Sequence, residues 1–172
     1  MTTPRLSAID HILFRTVVSA LAEPGLPCAV PQGLGEGRLA EAIARAIWEP
    51  TTPVWTAPDL EALPGSPVGA ADAAVLYTTG DDAARLGLAT IGTTTTPELA
   101  ATVLVEPVDV HTAVVLDGPG LPTVRRTILP MTVEAIVQRN RRCAFPPMGL
   151  DLIVIQGRSV MGLPRTTRIA IA

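Results

Sequence analysis

An apolar run of strand length near the C-terminus constrains the fold more than any other stretch. Residues 150–155 read Leu-Asp-Leu-Ile-Val-Ile, and the following segment 156–159 contains a glycine. A second apolar arm covers 160–163 and stops at Pro164, which cannot donate a hydrogen bond to a β-ladder. Short apolar runs bounded by turn residues are typical of buried strands. The stretch therefore predicts a buried β-hairpin.

The composition predicts short elements that pack through aliphatic side chains. The 172 residues are 48% hydrophobic but include only two Trp, one Tyr and two Phe. Seventeen prolines interrupt the chain so often that long helices are not expected. A chain of this length folds most economically as one domain, which buries roughly 70% of the surface that the unfolded chain exposes. We therefore expect an α/β fold over residues 1–172, a single domain with a mixed sheet and short flanking helices.

Apolar periodicity and turn residues place the individual elements. Helices are expected at 9–22 with Asp10 as N-cap, through 39–47, and after Thr132, with a helical turn capped by Asp81. Because strands alternate with helices early and pair as hairpins late, the sheet should be mixed. Before the hairpin, strands are expected at 28–30, 53–56, 73–78, 101–105, 112–116 and 124–129.

The basic residues exclude two classes of function. All thirteen are arginines, and the chain has no lysine. Schiff-base catalysis, including that of pyridoxal-phosphate enzymes with an internal aldimine, needs a lysine amine and is excluded for this chain alone. The net charge of −3 and the pI of about 5.3 give no basic field of the kind that carries non-specific nucleic-acid binding. We expect no nucleic-acid partner.

Metal, nucleotide and membrane sites are not indicated either. Cys28 and Cys143 lie far apart and only two histidines are present, whereas a structural zinc site needs about four closely spaced ligands. The glycine-rich segment 33–38 departs from the dinucleotide-binding fingerprint, because Arg38 stands where the third glycine belongs. No apolar run approaches the roughly 18 residues of a membrane span. We expect a cytoplasmic protein without a metal, a cofactor or a membrane partner.

The candidate ligand residues follow the hairpin. Arg165, Thr166 and Thr167 place a guanidinium and two hydroxyls where an apolar strand ends, a position in which α/β proteins often bind ligands. The planar fork of arginine suits phosphate or carboxylate, so these residues predict an anion site. Further arginines that could bind anions lie at 125 and 126, at 168, and at 139, 141 and 142, the last three at the end of a helix where the macrodipole favours cations.

Asp151 offers Arg165 a structural role instead. If residues 157–159 form a three-residue loop, Asp151 lies opposite Arg165 and a cross-strand ion pair can form. A two-residue turn at 157–158 would place Asp151 opposite Pro164. We predict the three-residue loop, because it gives the carboxylate in an apolar strand a partner. Arg165 would then be less free to hold a ligand.

Six short motifs give the chain a resemblance to a known family. In order, the motifs are Phe14-Arg15, Ala22-Glu23-Pro24-Gly25, Thr52-Pro53-Val54-Trp55, Phe145-Pro146, Gly149-Leu150-Asp151-Leu152 and Pro164-Arg165-Thr166-Thr167. The set resembles PhnH, the H subunit of the bacterial carbon-phosphorus lyase system, over nearly the whole chain. One departure is local, since Pro147 and Met148 both stand between Phe-Pro and the glycine, where the family runs more directly.

The resemblance implies a subunit of a cytoplasmic complex with partners G, I and J, which acts on alkylphosphonates when phosphate is scarce. In that family G, H and I, with the ATPase-like L protein, transfer ribose triphosphate from ATP to methylphosphonate and displace adenine. Radical cleavage of the carbon-phosphorus bond belongs to J. The resemblance also implies a fold similar to pyridoxal-phosphate transferases without the cofactor, and a homodimer for the isolated chain.

Two functional hypotheses follow. The first is a structural, non-catalytic subunit of this transferase and lyase system. The second is a stand-alone phosphate- or phosphonate-binding protein, or a small enzyme, that uses arginines. For the first, Trp48 and Trp55 are the side chains best able to anchor a partner subunit, because large aromatic side chains dominate binding hot spots. Burial in the core is an equally good interpretation of both tryptophans.

Overall fold

A computed structural model describes residues 8–34 and 38–172 of the chain. The α-helices in these residues are α1 (Ala8–Ala22), α2 (Leu39–Ile47), α3 (Ala83–Leu88) and α4 (Val133–Arg142), with a 3-10 turn at Pro97–Leu99. The strands are β1 (Cys28–Ala29), β2 (Pro53–Thr56), β3 (Ser66–Pro67), β4 (Val75–Thr79), β5 (Thr102–Glu106), β6 (Thr112–Asp117), β7 (Arg125–Leu129), β8 (Asp151–Gln156), β9 (Ser159–Leu163) and β10 (Arg168–Ile171).

The larger of two sheets has the strand order β1-β9-β8-β5-β4-β2-β3. Its members β3, β2, β4, β5 and β8 are parallel neighbours, whereas β9 pairs antiparallel with β8 and β1 pairs antiparallel with β9. Strands β4 and β8 each contain four consecutive buried residues, as expected of parallel strands that are covered on both faces. The predicted α/β class and the mixed sheet are confirmed.

A second sheet, antiparallel with the order β10-β6-β7, was not predicted. Strand β6 alternates between buried and more exposed residues, which is typical of a sheet with one covered face. Strand β10 escaped prediction because its four residues contain a charge and only Ile169 is buried. A segment of this kind becomes a strand through its pairing with β6 rather than through its own apolar pattern.

Different elements cover the two faces of the larger sheet. Val17 of α1, Ile43 of α2 and Ile153 of β8 belong to one buried cluster. Leu152, the preceding residue of β8, belongs to the cluster that contains Ile136 of α4 and residues of α3 and of the second sheet. Successive strand residues point to opposite faces, so β8 lies in the middle layer of three. The cores on both sides are mostly aliphatic, as the composition predicts.

The helix starts agree only in part with the predicted caps. Thr132 caps α4 as predicted, and its side chain accepts a hydrogen bond from the N–H three residues later. The cap of α3 is Asp82, which accepts from the N–H of Arg85, and not Asp81, which accepts from a threonine of β4. Asp10 lies inside α1, in its first turn, where its charge favours the helix dipole. The prediction of Asp10 as N-cap is therefore wrong.

The predicted hairpin is present, but its predicted register is wrong. Gln156 pairs with Ser159, so only Gly157 and Arg158 form the turn between β8 and β9. Gly157 has a φ of +58°, and a glycine in the first of two central positions is the requirement of a type II′ hairpin turn. The last pair of the ladder is Leu152 with Leu163, so Asp151 does not lie opposite Arg165 in the register.

Candidate functional site

Arg165 is bound to Asp151 although the two are not cross-strand neighbours. The backbone N of Arg165 donates to Oδ1 of Asp151 at 2.7 Å, and Nε and Nη2 donate to Oδ2 at 3.0 and 2.5 Å. The remaining nitrogen, Nη1, donates to the carbonyl of Pro97 at 2.5 Å. The chain turns just after β9, and this turn brings Arg165 back to the start of β8. Each guanidinium nitrogen therefore already has a partner in the protein.

The two threonines after Arg165 have different surroundings. Thr166 is exposed, whereas Thr167 is 1% exposed. The N–H of Thr167 donates to the carbonyl of Pro164 at 2.9 Å and closes a tight turn. The Oγ1 of Thr167 is buried and has no hydrogen-bond partner among the residues that the structure describes. Of the three predicted ligand residues, Arg165 is thus bonded within the protein, Thr166 is exposed and Thr167 is buried.

Arg139 of α4 lies beneath this turn and is 1% exposed. Its Nη1 donates to the carbonyl of Thr167 at 2.6 Å and to Oδ1 of Asn140 at 3.3 Å, and its Nη2 donates to the carbonyl of Pro164 at 2.5 Å. Burial lowers the pKa of Arg139 because desolvation disfavours the charged form, while Cys143 and Asp151 act in the opposite direction. Arginine stays protonated in proteins, so a buried cation holds the turn 164–167.

A cavity of about 580 Å³ lies beside the turn. Three arginines line it, and their exposure differs: Arg139 is buried, the side chain of Arg165 is 18% exposed, and that of Arg168 is 84% exposed. Arg168 lies 3.4 Å from the carboxylate of Asp117, which is also exposed, and at this distance and exposure an ion pair contributes little. The cavity can therefore attract an anion more readily than any neutral or cationic group.

Gly149 lets the chain approach this network closely. It has a φ of +149°, and a Cβ at this position would lie 2.9 Å from Cβ of Arg165 and 2.9 Å from Sγ of Cys143. The Sγ of Cys143 in turn accepts a hydrogen bond from the N–H of Leu150 at 3.3 Å. The segment before β8 thus needs glycine both for its backbone conformation and for space.

Trp48 and Trp55 lie on opposite faces of the larger sheet. Trp48, which follows α2, packs against the cluster beneath α1 and α2. Trp55 packs against the cluster on the other face, and the guanidinium of Arg85 lies 5.2 Å from its ring centroid. Both side chains are partly buried. A single flat interface cannot use both as anchors.

Another buried ionisable group, Tyr77, lies outside the set of residues that line the cavity. The hydroxyl of Tyr77 donates to Oε1 of Glu106 at 2.5 Å, and Tyr77 is 2% exposed. Burial raises the pKa of Tyr77 above its usual value, and the hydrogen bond and charge of Glu106 raise it further. Tyr77 is therefore a neutral hydrogen-bond donor at physiological pH.

The described residues contain no group of three or more His, Cys, Asp or Glu side chains arranged to hold a metal ion. Of the helices that the structure describes, none has the length and apolarity needed to cross a bilayer. The glycine-rich segment 33–38 can be followed only in part, because residues 35–37 lie outside the described residues.

Comparison with known families decides the relationship. The family model described as "Bacterial phosphonate metabolism protein (PhnH)" matches residues 8–170. The chain belongs to the PhnH family. A search of curated proteins finds no match to it. The PhnH relationship covers nearly the whole chain, from the start of α1 to all but the last residue of β10, and it connects the protein with bacterial phosphonate metabolism.

Arg139 is the residue of this PhnH chain that sequence reasoning assigned least well. It was grouped with Arg141 and Arg142 as a cation at the end of a helix, but the structure buries it apart from them. Helical periodicity contains the missing signal, because Arg139 follows the buried Ala135 and Ile136 by four and three residues and shares their face. An arginine on the apolar face of a helix indicates a buried partner or ligand.

Proposed function

We propose that this PhnH chain is a structural, non-catalytic subunit of the carbon-phosphorus lyase core complex. In this role it supports the transfer of ribose triphosphate from ATP to methylphosphonate by a cytoplasmic assembly with subunits G, I and J, under phosphate scarcity. The proposal includes a homodimer for the isolated chain and a fold related to pyridoxal-phosphate transferases without the cofactor. The observation that carries it is the family match over residues 8–170.

The bonding of Arg165 supports a structural role. This arginine was the leading candidate for contact with a ligand, and its nitrogens donate to Asp151 and to the carbonyl of Pro97 instead. A guanidinium that is bound on all sides by its own chain orders three segments that are distant in sequence: the start of β8, the end of β9 and the 3-10 turn. Such a residue stabilises the fold around the turn 164–167, which is a structural role.

Adenine release tests the proposal. The full chain alone, supplied with ATP and methylphosphonate, should release no adenine, whereas a mixture of G, I, L and this chain should release it. Omission of this chain from the mixture should abolish or strongly reduce the release. Turnover by the isolated chain would refute the non-catalytic role, and full activity without the chain would refute the supporting role.

Assembly through tryptophan can be tested separately. Because Trp48 and Trp55 lie on opposite faces of the larger sheet, we expect one of the changes Trp48→Leu and Trp55→Leu to reduce co-purification with the other subunits and the other to leave it intact. Unfolding midpoints of both variants serve as the control for partial burial. Intact co-purification in both variants would remove tryptophan from the interface.

The second candidate function is a stand-alone phosphate- or phosphonate-binding protein that uses Arg165, Thr166 and Thr167. The exposed Thr166 beside an arginine-lined cavity favours it. Calorimetry of the isolated chain with ATP, phosphate and phosphonates, before and after Arg165→Ala, tests this function. Thr166→Ala is the milder companion variant, because an exposed threonine contributes little to stability. Absence of heat in every titration would eliminate this candidate.

A further inference from the structure

Arg139 is a buried cation whose described partners are all neutral. Its hydrogen bonds end on the carbonyls of Pro164 and Thr167 and on the amide oxygen of Asn140. Among the described residues no carboxylate lies within 4.0 Å of its guanidinium, and Asp151 is bonded to Arg165 instead. Buried charges in proteins are normally paired, because an unpaired ion loses its hydration without compensation. The positive charge beneath the turn therefore has no directly bonded counter-ion, and Asp151, which is bonded to Arg165, acts on it only through space.

Two polar atoms at the same place lack a hydrogen-bond partner. Within residues 8–34 and 38–172, neither Nε of Arg139 nor Oγ1 of Thr167 bonds to any group, and both residues are 1% exposed. Most buried polar atoms in native proteins are bonded, so each exception needs an explanation. Both residues line the cavity beside the turn, so a ligand with acceptor atoms in this cavity would lie next to them.

The cavity has the size and the charge for a small anion. Its volume of about 580 Å³ lies within the range of roughly 300–1,000 Å³ that is usual for ligand sites. Arg168 stands at its exposed rim, paired only loosely with Asp117, while Arg139 and Thr167 lie at its buried end. An anion that enters meets positive charge at both ends.

We propose that this cavity binds a small tetrahedral oxyanion, a phosphate or phosphonate group, with Arg139 as counter-ion, Thr167 as hydroxyl donor and Arg168 as the cation at the rim. Phosphate and phosphonate groups present several acceptor oxygens and up to two negative charges, which arginine and hydroxyl donors match well. A carboxylate offers fewer oxygens and one charge and should bind more weakly. The inference goes beyond the structural role and deepens the second candidate function, on which it rests for the class of ligand, while it moves the ligand contacts from Arg165 and Thr166 to Arg139 and Arg168.

The variants that test the proposal leave Arg139 unchanged. Removal of this side chain would also remove the hydrogen bonds that hold the turn, so a loss of binding would have two explanations. Thr167→Val keeps the shape of the side chain and removes only the unpartnered oxygen, and Thr167→Ser restores a hydroxyl. Arg168→Gln removes the charge at the rim, and Arg126→Gln removes an exposed arginine of β7 outside the cavity as a matched control.

The measurements are calorimetry and thermal unfolding of the full chain with inorganic phosphate, methylphosphonate, acetate and chloride at matched ionic strength. Phosphate and methylphosphonate should bind and raise the unfolding midpoint, because they bind the folded state alone. Thr167→Val should weaken their binding by about tenfold or more, the usual effect of losing a hydrogen bond to a charged group. Arg168→Gln should weaken it less, and Thr167→Ser and Arg126→Gln should bind like the unchanged protein.

The unfolding temperature without ligand distinguishes a ligand-binding hydroxyl from a structural one, because removal of a hydroxyl that stabilises the fold would lower this temperature. If Thr167 has no partner in the ligand-free protein, Thr167→Val should unfold at the same or a higher temperature without ligand, although it binds the anion more weakly. Phosphate binding that is unaffected by Thr167→Val and Arg168→Gln would overturn the proposal. So would the absence of any effect of millimolar phosphate and methylphosphonate beyond that of chloride, which is the result expected if a water molecule satisfies the hydroxyl.

Discussion

Replacement of Asp151 with alanine removes the acceptor of three hydrogen bonds from Arg165. These are the bonds from the backbone N, from Nε and from Nη2, at 2.7, 3.0 and 2.5 Å. Only the bond from Nη1 to Pro97 remains to the guanidinium. The change also removes a negative charge that favours the protonated form of the buried Arg139. Two cations then share a site without their carboxylate.

The expected loss of stability follows from the partial burial of the pair. Removal of one partner from a fully buried ion pair costs about 3–5 kcal/mol, and an exposed pair contributes about 0–1 kcal/mol. The side chains of Arg165 and Asp151 are 18% and 22% exposed, which places the pair closer to the buried limit. We expect Asp151→Ala to lower the free energy of unfolding by about 2–3 kcal/mol and the unfolding midpoint by about 5–10 °C.

Urea-induced and thermal unfolding measure the effect, with Asp117→Ala as the matched control. Asp117 also pairs with an arginine, at 3.4 Å, but the two side chains are 84% and 56% exposed, so its loss should cost less than about 1 kcal/mol. Asp151→Asn should lie between the unchanged protein and Asp151→Ala, since the amide retains an acceptor for the backbone N of Arg165.

Equal stabilities of Asp151→Ala and Asp117→Ala, within about 0.5 kcal/mol, would refute the reasoning. That result would mean that Arg165 gains no more from Asp151 than the exposed Arg168 gains from Asp117. A double-mutant cycle with Arg165→Met separates the pair from the other bonds of each residue. A coupling energy near zero in this cycle would contradict the assignment of Asp151 and Arg165 as a structural pair.

Two further predictions concern close packing and ionisation. Gly162→Ala should destabilise the protein by about 2–3 kcal/mol, because the added Cβ would lie 2.5 Å from backbone atoms of Ala20. In Gly157→Ala the added Cβ meets no atom within 4 Å, so this change should cost only the roughly 1–2 kcal/mol of a left-handed backbone conformation. Equal unfolding midpoints of the two variants would contradict this. Tyr77 is the one tyrosine of the chain, so an absorbance titration reports it directly. Its raised pKa predicts no tyrosinate near pH 10. The contribution of Tyr77 to the free energy of unfolding should therefore be constant below about pH 10 and fall above it, where only the unfolded chain ionises. Glu106→Gln should lower that pKa while burial keeps it raised, and ordinary titration near pH 10 in the unchanged protein would disprove the predicted shift.

Most strands of the larger sheet could be predicted because their pattern is local, whereas the two-residue β3 at Ser66–Pro67 was not predicted. The strand predicted at 53–56 has the bounds of β2, and the apolar run 150–155 contains most of β8. Helix α2 was recognisable from the spacing of its apolar residues, and Thr132 from its position before α4. In each case a few neighbouring residues contain the signal, since burial on both faces requires a continuous apolar run and burial on one face requires a fixed period.

The site depended on tertiary contacts that the local pattern does not contain. Asp151 was expected beside Arg165, but the reason given, a three-residue loop, was wrong, and a turn after Pro164 brings the two together instead.

The sequence by itself thus determined the α/β class, the hairpin and the motifs of the PhnH family. Only the tertiary structure decided that Arg139 of α4 lies beneath the turn 164–167, more than twenty residues away along the chain, and that β10 completes a second sheet. Periodicity states which face of an element is buried but not which distant segment covers it, and that choice is made when both faces of the larger sheet are packed.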